Sequence, residues 1–188
     1  MSKSDPCNKY PITKYLINKI PSINKKSITV LDLGIGEGDF GAIIKKKVKK
    51  NIKLTGVEIW KPYKHPQWKF YDTIYFEDIR TFLKNNKKKY DCVLLIDIIE
   101  HFNKRDGTRI LSEIIKKANV FVVISTPITP YPQRDYNGNP YEKHKYFWSD
   151  TSLRGMDFRR IFIKRVYTYS KNPKYAHLGI YVLEKVIK

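Results

Sequence analysis

Two sets of residues have types and spacings that can do chemistry. The first is Asp32-Leu33-Gly34-Ile35-Gly36-Glu37-Gly38, where glycines at alternate positions follow an apolar run. Glycines are needed where the backbone turns sharply and a ligand must approach with no Cβ in the way, and a helix starting there turns free N–H groups toward the ligand. The second set is Asp97, Glu100 and His101, joined much later in the chain by His144. Glu100 lies three residues after Asp97 and His101 four after it, so on one turn of helix their side chains face a common pocket. Carboxylates beside imidazoles suit proton transfer near neutral pH or the binding of a divalent cation.

These residues need a scaffold, and the apolar periodicity supplies one. Short apolar runs alternate with helical stretches, the pattern of a parallel sheet with helices on both faces. Residues 27–33 read as a buried strand, 39–50 as a helix with Phe40, Ile43, Ile44 and Val48 on one face, and 52–59 as a second strand. The proline- and aromatic-rich stretch 60–70 has no helical pattern. A short strand over 73–76, a helix over 79–84 and a strand over 90–96 follow, the last apolar almost throughout as a central strand should be. The spacing then predicts a helix over 108–117, with Ile110, Leu111, Ile114 and Ile115 inward, and a fifth strand over 120–125. Residues 127–146 read as a long loop and 149–156 as a short helix. Two final strands near 160–169 and 177–186 meet through Lys171-Asn172-Pro173 as a hairpin. Residues 1–26 form a helical or irregular extension, and residues 1–188 are expected to make one domain.

The glycine loop fits two cofactor classes. Gly36-Glu37-Gly38-Asp39-Phe40-Gly41 satisfies G-x-G-x-x-G, with Glu58 about 20 residues on, which is the pattern of a dinucleotide site. Glu37 and Asp39 argue against it, because carboxylates repel a pyrophosphate. S-adenosylmethionine carries a sulfonium and an ammonium and no phosphate, so it suits acidic neighbours, and Asp32 is placed to orient its amino-acid groups. The chain also has no segment left over for a separate dehydrogenase substrate domain.

Val30-Leu31-Asp32-Leu33-Gly34-Ile35-Gly36-Glu37-Gly38 resembles the first motif of the class I S-adenosylmethionine-dependent methyltransferases, and the resemblance extends over residues 28–160. Gly56-Val57-Glu58 resembles the end of that family's second strand, which implies Glu58 as acceptor for both ribose hydroxyls. Glu77-Asp78-Ile79 resembles the segment whose acid takes the adenine amino group and whose next backbone N–H reaches the ring, implying Asp78 and Ile79. Asp91-Cys92-Val93-Leu94-Leu95-Ile96-Asp97 resembles the fourth motif, with Asp97 closing the pocket at the methionyl end. The implied cofactor set is Asp32, Gly34, Gly36, Gly38, Glu58, Asp78, Ile79 and Asp97. The implied fold is Rossmann-like: a mostly parallel seven-stranded sheet with a C-terminal antiparallel hairpin. Ile35 departs from the small residue or cysteine of many relatives, and its side chain is expected to point away from the cofactor.

No motif names the methyl acceptor. Asn-Pro-Pro-Tyr and Asp-Pro-Pro-Tyr are absent after the fourth strand, no Pro-Cys supports cytosine C5 chemistry, and no Lys-Asp-Lys-Glu tetrad is assignable. His144, within His-Lys-Tyr-Phe-Trp-Ser, is similar to a segment of the small-RNA 3′-terminal 2′-O-methyltransferases, in which two carboxylates and two histidines hold a divalent cation. That resemblance implies Glu100, His101 and His144 as candidate metal ligands, with Asp97 shorter than the family's glutamate. Without a metal, Asp97, Glu100, His101 and His144 form the candidate catalytic set, with a histidine as general base. Tyr131, Tyr136, Tyr141, Tyr146, Phe147 and Trp148 make residues 127–147 a lid or a stacking platform, with Asp135-Tyr136-Asn137-Gly138-Asn139-Pro140 as its tip.

Thirty-seven Lys and Arg against 18 Asp and Glu leave a formal charge of +19, which attracts a polyanion such as nucleic acid. Runs such as Lys45, Lys46 and Lys47 read equally as solvated helix ends. A basic S-adenosylmethionine-binding protein without turnover is the competing class, against which the intact Asp97, Glu100 and His101 argue. No apolar stretch reaches a bilayer-spanning length, and MSKSDPCNKYPITKYL has no signal-peptide core, so an intracellular, cytoplasmic protein is expected. Cys7 and Cys92 cannot build a four-thiolate zinc site, and no disulfide is expected.

Overall fold

The computed structural model describes residues 6–130, 132–135, 138–167 and 175–185. They form one seven-stranded sheet in the order β3-β2-β1-β4-β5-β7-β6. The strands are β1 (Ser27–Leu33), β2 (Asn51–Val57), β3 (Thr73–Tyr75), β4 (Tyr90–Ile96), β5 (Ala118–Pro127), β6 (Arg159–Tyr167) and β7 (Tyr175–Glu184). The first five are parallel, while β7 runs antiparallel between β5 and β6. This is the mostly parallel sheet with a C-terminal antiparallel pair that the resemblance implied. The proposed turn Lys171-Asn172-Pro173 lies outside the described residues.

Each face of the sheet is covered because the central strands are apolar on both sides. All of β4 is buried. One cluster joins its Cys92, Leu94 and Ile96 to α1 (Pro6–Lys19) and α2 (Asp39–Lys47). The opposite cluster joins Val93 and Leu95 to α3 (Ile79–Asn85), α4 (Lys104–Lys117) and α5 (Asp150–Arg154). The N-terminal segment is therefore part of the fold. Ile12, Leu16 and Ile20, one helical turn apart, are fully buried, and α1 is tied down by Tyr15 Oη, 2.9 Å from Glu184 Oε1.

Several element ends differ from the expected ones, each for a local reason. Helix α2 stops at Lys47 because Val48 turns to extended geometry and is buried. Helix α4 begins four residues before the expected 108, since the Asn103 side chain accepts from Asp106 N at 2.9 Å and caps it. Strand β5 extends past 120–125 at both ends because Ala118 pairs with Tyr90 of β4 at its start and β7 pairs with it as far as Pro127. Strand β2 ends at Val57 rather than 59, where Glu58 turns into the loop beyond. The 60–70 stretch forms two 3₁₀ turns, Lys61–Tyr63 and Pro66–Phe70, each with a proline near its start. Ile43 and Ile115, expected inward, are only half-buried. Among the described residues no helix is long and apolar enough to cross a membrane.

The chain leaves β1 toward β2 and β3, then returns to place β4 on the other side of β1. That reversal opens a crevice at the C-terminal ends of β1 and β4, where open α/β sheets hold ligands.

Candidate active site

The crevice floor is the turn after β1. Gly34, Gly36 and Gly38 all have positive φ, at 74°, 50° and 84°. At Gly34 the need is also spatial, since an added Cβ would stand 2.1 Å from Ile98 Cδ1. The turn is pinned from the neighbouring strand: Gly34 N donates to Val57 O at 2.8 Å, and Gly36 N to Glu58 Oε2 at 2.8 Å. Glu58 also accepts from Trp60 N at 2.8 Å, so one buried carboxylate organises both loops. Burial raises its pKa, opposed by these two backbone donors.

Two cavities share Gly34 and Gly36. The larger is lined by Glu58, Asp78, Ile79, Tyr63 and His101 among others, with mainly apolar walls. The smaller is polar and carries Asp32, Glu37 and Asp39. Of the expected cofactor residues, Gly34, Gly36, Glu58, Asp78 and Ile79 line the first and Asp32 the second. Gly38 and Asp97 line neither; Gly38 caps α2 in a left-handed conformation.

Asp32 has an environment that its sequence position did not reveal. It is buried and accepts from Tyr71 Oη at 2.7 Å. Burial pushes its pKa up to about 7, the tyrosine bond opposing and the nearby Glu58 charge adding to the rise. Tyr71 fits because Gly41 and Gly56 leave room: a Cβ at either would come within 2.4 Å and 2.8 Å of its ring. Gly41, the last glycine of the dinucleotide-like pattern, thus serves a tyrosine. Ile35 reaches the same packing, near Gly56, and also borders the smaller cavity. Asp39 accepts from Gln67 Nε2 at 2.6 Å and is paired with Lys9 of α1; burial works against ionisation, but these partners hold its pKa low.

Asp78 caps α3, accepting from Arg80 N at 2.7 Å, and pairs with the Arg80 guanidinium at 2.8 Å. Arg80 continues to Asp106 of α4 at 2.7 Å. Burial opposes this arrangement, yet Arg80 keeps Asp78 below the ordinary carboxylate range.

The second chemical set gathers after β4. Asp97 has φ 53°, its N–H donates to Ser125 O at 2.9 Å, and its carboxylate accepts from Ser125 Oγ. Glu100 is buried, lines neither cavity, and accepts from Thr126 Oγ1 at 3.0 Å. Burial raises its pKa well above normal, with the Asp97 charge adding. The loop after β5 closes over this point, since Lys145 N and Tyr146 N both donate to Glu100 O, at 2.8 and 3.3 Å. His144 thereby reaches His101, with ring centroids 5.1 Å apart. One potential ligand atom from each of Glu100, His101 and His144 lies within 4.8 Å of the others. Burial lowers the His101 pKa, favouring neutral imidazole. Asp97 is not part of that cluster.

Sequence reasoning missed the clasp opposite. Tyr63 Oη donates to Glu142 Oε1 at 2.6 Å, and Asn139 Nδ2 to Tyr63 Oη at 2.8 Å, joining the loop after β2 to the loop after β5 across the larger cavity. The Asn139-Pro140 pair does signal a turn start, because the Asn139 side chain caps Tyr141 N at 2.9 Å ahead of the proline. Glu142 carried no local signal. Lys45, read as a solvated or phosphate-binding lysine, instead bonds Ile52 O and Asp72, each at 2.7 Å. Tyr131 and Tyr136 lie outside the described residues.

A family model for the methyltransferase domain matches residues 11–157, spanning the glycine turn, the acidic strand ends and the Glu100–His101 turn. The chain belongs to the methyltransferase domain family. It is an S-adenosylmethionine-dependent methyltransferase, and S-adenosylmethionine is its cofactor. No curated protein matches the chain in sequence. Solved structures share the fold at low identity. Magnesium protoporphyrin IX methyltransferase from Synechocystis, with bound S-adenosylmethionine, is 16% identical with a TM-score of 0.61, over 94% of this chain and 78% of that one. An S-adenosylmethionine-dependent methyltransferase from Archaeoglobus fulgidus is 19% identical with a TM-score of 0.57, over 93% and 94%. The Burkholderia thailandensis 1,6-didemethyltoxoflavin-N1-methyltransferase is 14% identical with a TM-score of 0.58, over 96% and 82%. The donor set of this methyltransferase fits its cofactor: an acidic small cavity suits an ammonium, and a carboxylate in an apolar larger cavity suits a ribose and its base.

Proposed function

We propose that this methyltransferase holds the cofactor ribose at Glu58, the adenine edge at Asp78 and Ile79, and the methionyl ammonium at Asp32, and that its acceptor is engaged by Glu100, His101 and His144 around a divalent cation. The cofactor supplies an electrophilic methyl group, which an acceptor lone pair takes as the carbon–sulfur bond breaks and its electrons stay on sulfur. The protein's task is alignment, because in-line displacement depends chiefly on holding nucleophile, carbon and sulfur on one axis. Glu58 and the glycine turn fix one end of that axis, and the histidine cluster beside the cleft fixes the other.

The observation carrying the cation is that ligand atoms from one carboxylate and two imidazoles converge within 4.8 Å. Mixed oxygen and nitrogen ligands suit Mn²⁺, Mg²⁺ or a similar ion, whose charge would bind an acceptor oxygen and lower its pKa. The test is calorimetric titration of Mn²⁺ into the apoprotein alongside methyl transfer to pooled RNA, protein and small molecules. Activity lost with chelator and restored by the ion, with weaker ion binding in His101→Ala and His144→Ala, supports the reading; turnover indifferent to chelator removes it. A second reading rests on burial keeping His101 neutral, ready to accept the acceptor's proton. It predicts a rate following a histidine-like pKa and unaffected by chelator. A cytoplasmic location agrees with Cys92, a free buried thiol.

A further inference from the structure

Burial alternates residue by residue where the loop after β5 crosses the cleft. Glu142, His144, Tyr146 and Trp148 point inward, whereas Tyr141, Lys143, Lys145 and Phe147 are exposed. Tyr141 and Glu142 close a 3₁₀ turn, Pro140–Glu142, and from Lys143 the backbone turns extended, so that successive side chains go to opposite sides. The inward set is anchored: Glu142 to Tyr63, His144 against His101, and Tyr146 edge-on to Trp148 with centroids 5.1 Å apart. The outward set is a ring, two cations and a ring in sequence, and both Tyr141 and Lys145 also line the cofactor cleft. Tyr141 and Phe147 are 44% and 46% exposed, unusual for such large rings.

The opposite bank repeats the composition. Phe76, just past β3, is 44% exposed, with Lys61 Nζ 5.8 Å from its ring centre. Of the four large exposed rings among the described residues, Tyr141 lines the cleft, Phe76 and Phe147 each stand two residues from a lining residue, Asp78 and Lys145, and Tyr10 lies on α1. Among the described residues Lys61, Lys143 and Lys145 form no ion pair, and Lys145 brings its charge to the cleft that it lines, within a chain of net charge +19.

We propose that Tyr141, Lys143, Lys145 and Phe147, facing Lys61 and Phe76, form a strip that binds single-stranded nucleic acid and leads an unstacked nucleotide to the methyl group. Cations alone would suit any polyanion. Two cations flanked by rings favour a partner that offers flat faces beside negative charges, which a polyglutamate-like peptide or a lipid surface does not. A duplex keeps its base faces stacked and cannot use the rings. The inference rests on the acceptor reaching the Glu100–His101–His144 side of the cleft.

Fluorescence anisotropy with labelled oligothymidylate and oligouridylate, in chelator and without methyl transfer, tests the strip separately from the cation. Binding should weaken steeply with salt, and Lys143→Gln and Lys145→Gln should each reduce the log–log salt slope by about 0.7. Tyr141→Ala and Phe147→Ala should each weaken binding by roughly five- to hundredfold while leaving that slope unchanged. Equal affinity for a duplex, full competition by polyglutamate, undiminished binding in both ring variants, or no binding at low salt would each overturn the proposal. Failure here with intact Mn²⁺ binding would leave the cation cluster standing and point it at a small acceptor.

Discussion

With the methionyl ammonium seated at Asp32 as proposed, cofactor binding is expected to depend on pH in a direction and amount that follow from the burial of this carboxyl. Its pKa stands at about 7, raised by burial and by the Glu58 charge against the Tyr71 hydrogen bond. A cationic ammonium in the smaller cavity is held well only by the ionised form. Ligand binding must therefore expel the proton, and below about pH 7 affinity should fall roughly tenfold per pH unit. Only about one molecule in thirty is ionised at pH 5.5, so binding there should be about thirtyfold weaker than at pH 8. Calorimetry of S-adenosylhomocysteine binding across this range, in two buffers of different ionisation enthalpy, reads both the affinity and the released proton. Asp32→Asn should bind more weakly at pH 8 and lose most of the pH slope. The reasoning fails if wild-type affinity is flat across this range or if the slope survives in Asp32→Asn. The same group acts oppositely on the empty fold. Between about pH 4 and 7 the folded protein keeps a proton that the unfolded chain has released, so stability should decline as pH rises through that window, by up to about 1.4 kcal/mol per unit. Melting curves of the apoprotein should show this decline, and saturating cofactor should reduce it.

Glu58→Ala should weaken cofactor binding at least tenfold by calorimetry, since hydrogen bonds to charged groups contribute about 1.5–3 kcal/mol each and this carboxylate also orders Gly36 and Trp60. Gly34→Ala should destabilise the protein by about 2 kcal/mol or more in urea unfolding, because φ is 74° and its Cβ would meet Ile98; Ile98→Ala in the same chain should recover part of the loss but not the backbone strain. Tyr63→Phe breaks the clasp to Glu142, and faster cofactor dissociation in stopped-flow fluorescence is expected with little change in melting temperature.

The sequence by itself determined the element order and the glycine turn with its neighbouring acids, because both are written locally. Apolar runs report buried strands directly, and the glycine turn and the acids Glu58 and Asp78 follow at fixed distances from strands whose ends are legible. The resemblance supplied what periodicity lacked, namely the Rossmann-like sheet and the expectation that Glu58 and Asp78 serve the cofactor. Tertiary structure alone decided how those groups behave. Burial and the nearby Glu58 charge raise the Asp32 pKa to about 7 against the hydrogen bond from Tyr71, which packs over it through gaps left by Gly41 and Gly56. Asp97 reads as a cofactor residue in sequence, yet its carboxylate accepts from Ser125 Oγ and it lines neither cavity. His144 meets His101, 43 residues earlier in the chain, because two backbone bonds to Glu100 O seat the loop there. Contacts of that kind depend on how a loop crosses a sheet, and no local preference of the residues involved encodes the crossing.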